Sequence, residues 1–198
     1  MKLSRSYYPL FIILLLGAGV WLYFGMIRSH QFVPPEFSEA RLHGTDIAAQ
    51  IADGTGHTLA LLTNIAALDQ QKNYTDALIQ VSKAVVDNKE NEQNAVRLSS
   101  QLEIMATVAP NIVPEKSRQI ALEAISNEIG LVSHLLKYNG YLAELFEILK
   151  LKFSKGEVQL NGHIQDTISK MNEEARTINE SNEKFNSLMA EFDSVARH

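Results

Sequence analysis

The chain has 198 residues, no cysteine, and 18 basic against 23 acidic side chains for a formal net charge of −5. The missing cysteines exclude a disulfide framework, a thiolate nucleophile, thiolate metal sites and a lipid-bearing cysteine. An acidic chain without a basic cluster also argues against nucleic acid as a partner.

The first element is an apolar run of 21 residues from Tyr7 to Ile27 that carries no charge. A helix rising about 1.5 Å per residue crosses the ~30 Å hydrocarbon core of a bilayer over that length. Tyr7 and Tyr8 stand at one end and Trp21 and Tyr23 near the other, where aromatic side chains favour the membrane–water boundary. Lys2 and Arg5 precede the run, whereas Arg28 and Arg41 follow it among Glu36, Glu39 and Asp46. Positive charge is retained inside. The expected organisation is therefore a cytoplasmic N-terminus (1–6), a transmembrane signal-anchor helix (7–27), a juxtamembrane linker (28–35) and an extracytoplasmic helical bundle (36–198). A cleaved signal peptide is the competing reading, with Gly17-Ala18-Gly19 as its cleavage region. Val20 to Phe24 continue the apolar run past that point, which favours an uncleaved anchor. Without Lys2 and Arg5, the remaining 16 basic and 23 acidic residues leave the part beyond the anchor at −7.

Four long helices are predicted after the anchor. Pro34-Pro35 opens the first, since proline fits the first helical position. It runs from Glu36 to Gln70 with Ile47, Ile51, Gly54, Thr58, Leu61, Ile65 and Leu68 on one face. Gly54 and Gly56 weaken it by about 1 kcal/mol each, marking a kink or the close approach of a neighbour. Asn73 is the expected N-cap of the second helix, with Asp76 in its first turn. Tyr74, Leu78, Val81 and Val85, then Ala95, Leu98, Leu102 and Met105, form its apolar face. The polar stretch Asp87–Asn94 between them reads as either a solvated part of one continuous helix, the preferred reading, or a short break that makes two. Pro110 and Pro114 make Ala109–Pro114 a connector.

The third helix, Glu115 to Phe153, repeats Leu122, Ile125, Ile129, Val132, Leu136, Asn139, Ala143 and Phe146. Ser154-Lys155-Gly156 ends it, glycine serving as the cap. The fourth, Glu157 to Arg197, places Ile164, Ile168, Met171, Ala175, Ile178, Asn182, Phe185, Met189, Phe192 and Ala196 at alternating spacings of four and three, a heptad seam. Asn139 and Asn182 interrupt these seams; such asparagines either fix helix register or face partly wetted gaps. Helices of similar length with short joints predict an all-α fold, an antiparallel up-down-up-down four-helix bundle or coiled-coil rod standing on the anchor.

No constellation points to catalysis. His43–Asp46 and His163–Asp166 have helical spacing, yet the topology puts them at opposite ends of the rod. His57 and His134 lie at similar levels but read as solvated surface residues, as does the Glu173-Glu174 pair. Nucleophile elbows and phosphate-cradling glycine loops are absent. Neither an enzyme, a metal site nor a cofactor is expected.

Asn73-Tyr74-Thr75-Asp76-Ala77-Leu78 followed by Lys83-Ala84-Val85 resembles the second helix of a tetratricopeptide repeat. The likeness covers about 19 residues, has Lys89 where the closing proline belongs, and finds no tandem copy about 34 residues on. The overall architecture is similar to the extracytoplasmic four-helix domains of bacterial chemoreceptors, which implies sensing or ligand binding; without their second span and signalling region, a sensor would need a partner subunit. The preferred expectation is a non-catalytic structural or adaptor component that meets the lipid bilayer through residues 7–27 and a helical partner, or a second copy, through its bundle. Leu131, Tyr138 and Leu145 repeat every seven residues beside the seam of helix three and widen its apolar face to about 160°. They are either core, if helix three is the most enclosed, or the partner surface; they are the candidate site.

Overall fold

The structure is a computed structural model that describes residues 32–155 and 160–195. The anchor with Tyr7, Tyr8, Trp21 and Tyr23, the residues around Gly156, and Ala196 to His198 lie outside the described residues. Among the described residues no helix is long and apolar enough to cross a membrane.

Among the described residues four α-helices make the fold: α1 (Pro35–Gln70), α2 (Tyr74–Val108), α3 (Glu115–Lys155) and α4 (Asn161–Val195), with a 3-10 turn at Ala109–Asn111. Pro35 opens α1, with Glu36 in the first turn. The Asn73 side chain caps α2 by accepting a hydrogen bond from the Asp76 amide at 3.4 Å. Between them Lys72 turns the chain with a φ of 57°, a left-handed conformation that a lysine adopts at some strain. Glu115 in the first turn of α3 and Lys152 and Lys155 in its last turn match the helix dipole.

Contacts at the two ends set the direction of each helix. At one end Phe37 of α1 meets Phe192 of α4, ring centroids 5.8 Å apart. There Phe32 also pairs with Val113 of the connector through a 3.0 Å backbone bond. At the other end Lys152 of α3 reaches Asp69 of α1 at 2.6 Å, and Tyr74 of α2 stacks on Phe153 of α3 at 5.7 Å. Successive helices thus run antiparallel in a four-helix bundle. The backbones of α1 and α2, of α2 and α3, and of α3 and α4 lie close along their length, whereas α1 and α4 approach closely at few points.

The seam expected for α1 is buried at Ile47, Ile51, Thr58, Leu61 and Ile65. In α2 the helix is continuous through Asp87–Asn94, but that stretch is not simply solvated. Val81, Ala84, Asn88, Asn91, Ala95, Leu98, Leu102 and Met105 are all buried and follow one alternation of three and four. Asn88 and Asn91 therefore carry the apolar seam across the polar stretch. The continuous helix also passes through Lys89, so the segment resembling a repeat is part of one long bundle helix.

In α3 half of the expected seam faces inward. Ile125, Val132, Asn139 and Phe146 are buried, while Leu122, Ile129 and Leu136 are exposed. The inward face lies instead toward the second apolar row. Leu131, Tyr138 and Leu145 are only 5%, 3% and 3% exposed, which corrects their reading as a partner surface. The cause is position: α3 packs along both α2 and α4, so its wide apolar face is divided between two neighbours. In α4 Thr167 takes the buried place expected of Ile168, and Phe185 is only partly buried.

One close approach depends on a missing side chain. A Cβ on Gly54 would stand 2.2 Å from Oδ1 of Asn91, a buried side chain whose amide points to Thr55 Oγ1 at 3.5 Å. A Cβ on Gly56 would meet nothing within 4 Å. Gly54→Ala is accordingly expected to destabilise the bundle by about 1–3 kcal/mol through overpacking. Gly56→Ala should stabilise it by up to about 1 kcal/mol through helix propensity. Urea unfolding of the two variants beside the parent measures the pair; equal effects would contradict this packing.

Candidate functional site

Small side chains on α1 generate the site. Gly44, Ala48 and Ala52 follow one another at i, i+4, so α1 brings little side-chain volume to this part of the bundle, and Asn182, Phe185 and Asn186 on α4 do not fill the space. A cavity of about 100 Å³ results, with all four helices in its wall. Its lining is mainly apolar, from Ile51 on α1, Leu98, Leu102 and Met105 on α2, Leu131 and Leu135 on α3, and Ile178 and Phe185 on α4. Of the three residues offered as a partner surface, Leu131 reaches this wall, while Tyr138 and Leu145 do not line it.

The cavity is bounded along the bundle axis. Below it, Arg41 holds Asp193 with two parallel bonds of 2.9 Å, a fork geometry that fixes α1 against α4. Above it lies a polar layer. Thr55 Oγ1 donates to the Ile51 carbonyl at 2.8 Å, Asn91 points to Thr55, and Asn88 donates to the Asn139 carbonyl at 2.9 Å. Asn139, read from the sequence as a register residue or a gap residue, is buried in this layer.

Two polar atoms of the cavity wall are buried without a partner: Oε2 of Glu128 and Nε of Arg41. Glu128 is only 8% exposed, and burial away from water raises its carboxyl from an ordinary value of 4.5 to about 7. Desolvation disfavours the charged form, and no neighbouring cation offsets it. Arg41 does not serve, because its terminal nitrogens are on Asp193. A cleft carboxyl with a pKa near neutrality is the kind of group that functional sites use.

The sequence held the signals for this site, though they lie outside the candidates it suggested. Leu135, Leu142 and Leu149 form one buried row on α3; counting back seven residues from Leu135 puts Glu128 in the same row. A charged side chain in an apolar row, opposite a stripe of glycine and alanine, marks the cavity.

The histidines are dispersed. His57 pairs with Asp87 at 2.7 Å on the exposed surface. His134 is half-buried against Glu174 of α4 at 2.5 Å, so these two, earlier read as solvated, form an inter-helix contact, and His57 and His134 do not meet. His43 and Asp46 line a polar depression with Arg97. Asp166 pairs with Lys170 at 2.6 Å, not with His163. Among the described residues no group of three or more metal-ligating side chains converges. Compared with protein-family models, curated proteins and solved structures, the chain matches none.

The sign of the Glu128 effect follows from its raised folded-state value. The unfolded chain releases this proton near pH 4.5, the folded one near pH 7, so stability falls as pH rises through that window and levels off above it. Glu128→Gln lacks the penalty. Its stability relative to the parent should improve by on the order of 3 kcal/mol between pH 4.5 and pH 8, measured by urea unfolding at both. A difference independent of pH would contradict the assignment.

Proposed function

We propose that this chain is a non-catalytic binding module: an up-down-up-down four-helix domain, tethered outside the cell membrane by residues 7–27, that takes a small molecule between its helices. One observation carries the reading. All four helices line a cavity whose wall includes Glu128, and the buried carboxyl of Glu128 has an oxygen without a partner. Leaving a buried polar atom unsatisfied costs about 1–3 kcal/mol. A rod that served only as a spacer would gain from filling this space with an aliphatic side chain. Of the two readings raised by the sequence, the cavity favours ligand binding over a purely structural role.

The test uses the full-length chain in lipid nanodiscs, with toluene as the probe of the apolar space. Titration should shift the methyl resonances of Ile51, Leu102 and Ile178 saturably in the parent. It should leave them unmoved in Ala48→Leu, which fills the wall while retaining helix content. Unperturbed methyls in the parent would remove the proposal.

A second reading, an adaptor that pairs with another copy of itself, is favoured by the exposed row Leu122, Ile129 and Leu136 on α3. This row repeats every seven residues, the repeat by which like helices pack face to face. Sedimentation decides it. The parent should be dimeric and the Leu122→Glu, Ile129→Glu double variant monomeric with unchanged helicity, whereas a monomeric parent excludes the pairing.

A further inference from the structure

Taking the binding reading above as its basis, we infer that the cavity is a receptor for a small apolar amine, whose ammonium group hydrogen-bonds to Glu128 while its hydrocarbon body lies along Leu98, Leu102 and Ile178. The carboxyl supplies the first reason. Glu128 lines the cavity, and its buried Oε2 accepts no hydrogen bond. An ammonium brings three donors and a positive charge, and a charge-assisted bond to a carboxylate is about twice as strong as a neutral one.

Charge supplies the second. Arg41 and Glu128 are the charged residues of the wall, and Arg41 is already neutralised by its two bonds to Asp193. The other polar groups that α2 and α4 contribute, Gln101, Asn182 and Asn186, are neutral. Glu128 thus lacks a counter-ion from every helix around it. An anionic ligand would meet that carboxylate with no unpaired cationic side chain in the wall to offset the repulsion. It would find only neutral amide donors and the Nε–H of an arginine already bound to Asp193. An alcohol would donate a single bond and leave the charge uncompensated. The surface agrees: the part of the chain beyond residue 27 carries a formal charge of −7, which attracts cations and repels anions during encounter.

Size supplies the third. A dry engineered cavity of about 150 Å³ takes up benzene; the cavity here, about 100 Å³, suits a body of a few carbon atoms. Because Glu128 lies in the wall among leucines, an amine attached to such a body satisfies both parts of the lining at once.

The ligand also couples to protonation. Free Glu128 titrates near pH 7. An ammonium binds its ionised form, so binding expels a proton below that pH and tightens as pH rises. The amine itself stays protonated throughout this range.

The experiment titrates n-pentylamine, 1-pentanol and pentanoate into the full-length chain in nanodiscs of neutral lipid, following the methyl resonances of Leu98, Leu102 and Ile178. At pH 8 the amine should bind at least about tenfold more tightly than the alcohol, and pentanoate should not saturate. From pH 6 to pH 8 the amine affinity should rise about tenfold. Glu128→Gln should still bind 1-pentanol saturably, showing an intact cavity, while losing both the preference for the amine and its pH dependence. Equal binding of amine and alcohol by the parent, or an amine preference that survives in Glu128→Gln, would overturn the amine assignment and leave cavity binding standing. Failure of all three compounds to saturate would remove the binding reading as well.

Discussion

A four-helix core closes only where every helix brings side chains long enough to reach the axis, because protein interiors are packed to the density of organic crystals. Along most of this bundle that condition holds: Ile47, Leu61 and Ile65 of α1, Leu102 and Met105 of α2, Leu142 and Phe146 of α3, and Met171 and Met189 of α4 are buried. Between Arg41 and Thr55 it fails on one side. There α1 presents glycine and alanine, and α4 presents asparagine and a half-buried phenylalanine. The rest of the site follows from that deficit, since a gap on the α1–α4 side leaves Glu128 of α3 in the wall of an unfilled space.

What keeps the gap from collapsing is the stiffness of its two boundaries. The Arg41–Asp193 fork and the Phe37–Phe192 ring contact join α1 to α4 below. The layer of Thr55, Asn91, Asn88 and Asn139 fixes the register of the first three helices above. That layer requires Gly54, whose missing Cβ leaves room for Asn91. A slip of α1 against α2 would separate Asn91 from Thr55 and drive its amide into a side chain. Buried asparagines act here as register marks, a role known for single asparagines in helical seams. The fold thus holds an apolar cavity between two polar clamps, and the wall carboxyl inherits a low-dielectric setting that raises its proton affinity.

Much of the fold was legible in the sequence because helices advertise themselves by period. Pro35, Asn73 and the Ala109–Pro114 connector marked element ends with local chemistry, and the structure places them within a residue or two. The seam of α1 was equally clear. Errors arose where two faces competed. In α3, leucines occupy several rows, and the row chosen as the seam contains Leu122, Ile129 and Leu136, which face outward. No period can say which of two apolar rows lies inward when a helix contacts two neighbours. Hydropathy also hid Asn88 and Asn91, since it scores asparagine as solvent-facing whatever its partner. The cavity was harder still: it depends on what α1 and α4 fail to place opposite each other. That is a relation between segments more than a hundred residues apart, and only Glu128, the charge among the leucines of its row, recorded it locally.

Glu128 is buried at the wall of a space that, among the described residues, no side chain fills and no counter-ion serves. Titration of its side-chain carboxyl carbon by NMR, in the full-length chain with Glu128→Gln to assign the resonance, tests this most directly. A midpoint near pH 7, well above the ordinary glutamate value of 4.5, is the predicted result. A midpoint near the ordinary value of 4.5 would mean that water or a cation already serves the group, and would contradict this placement of Glu128.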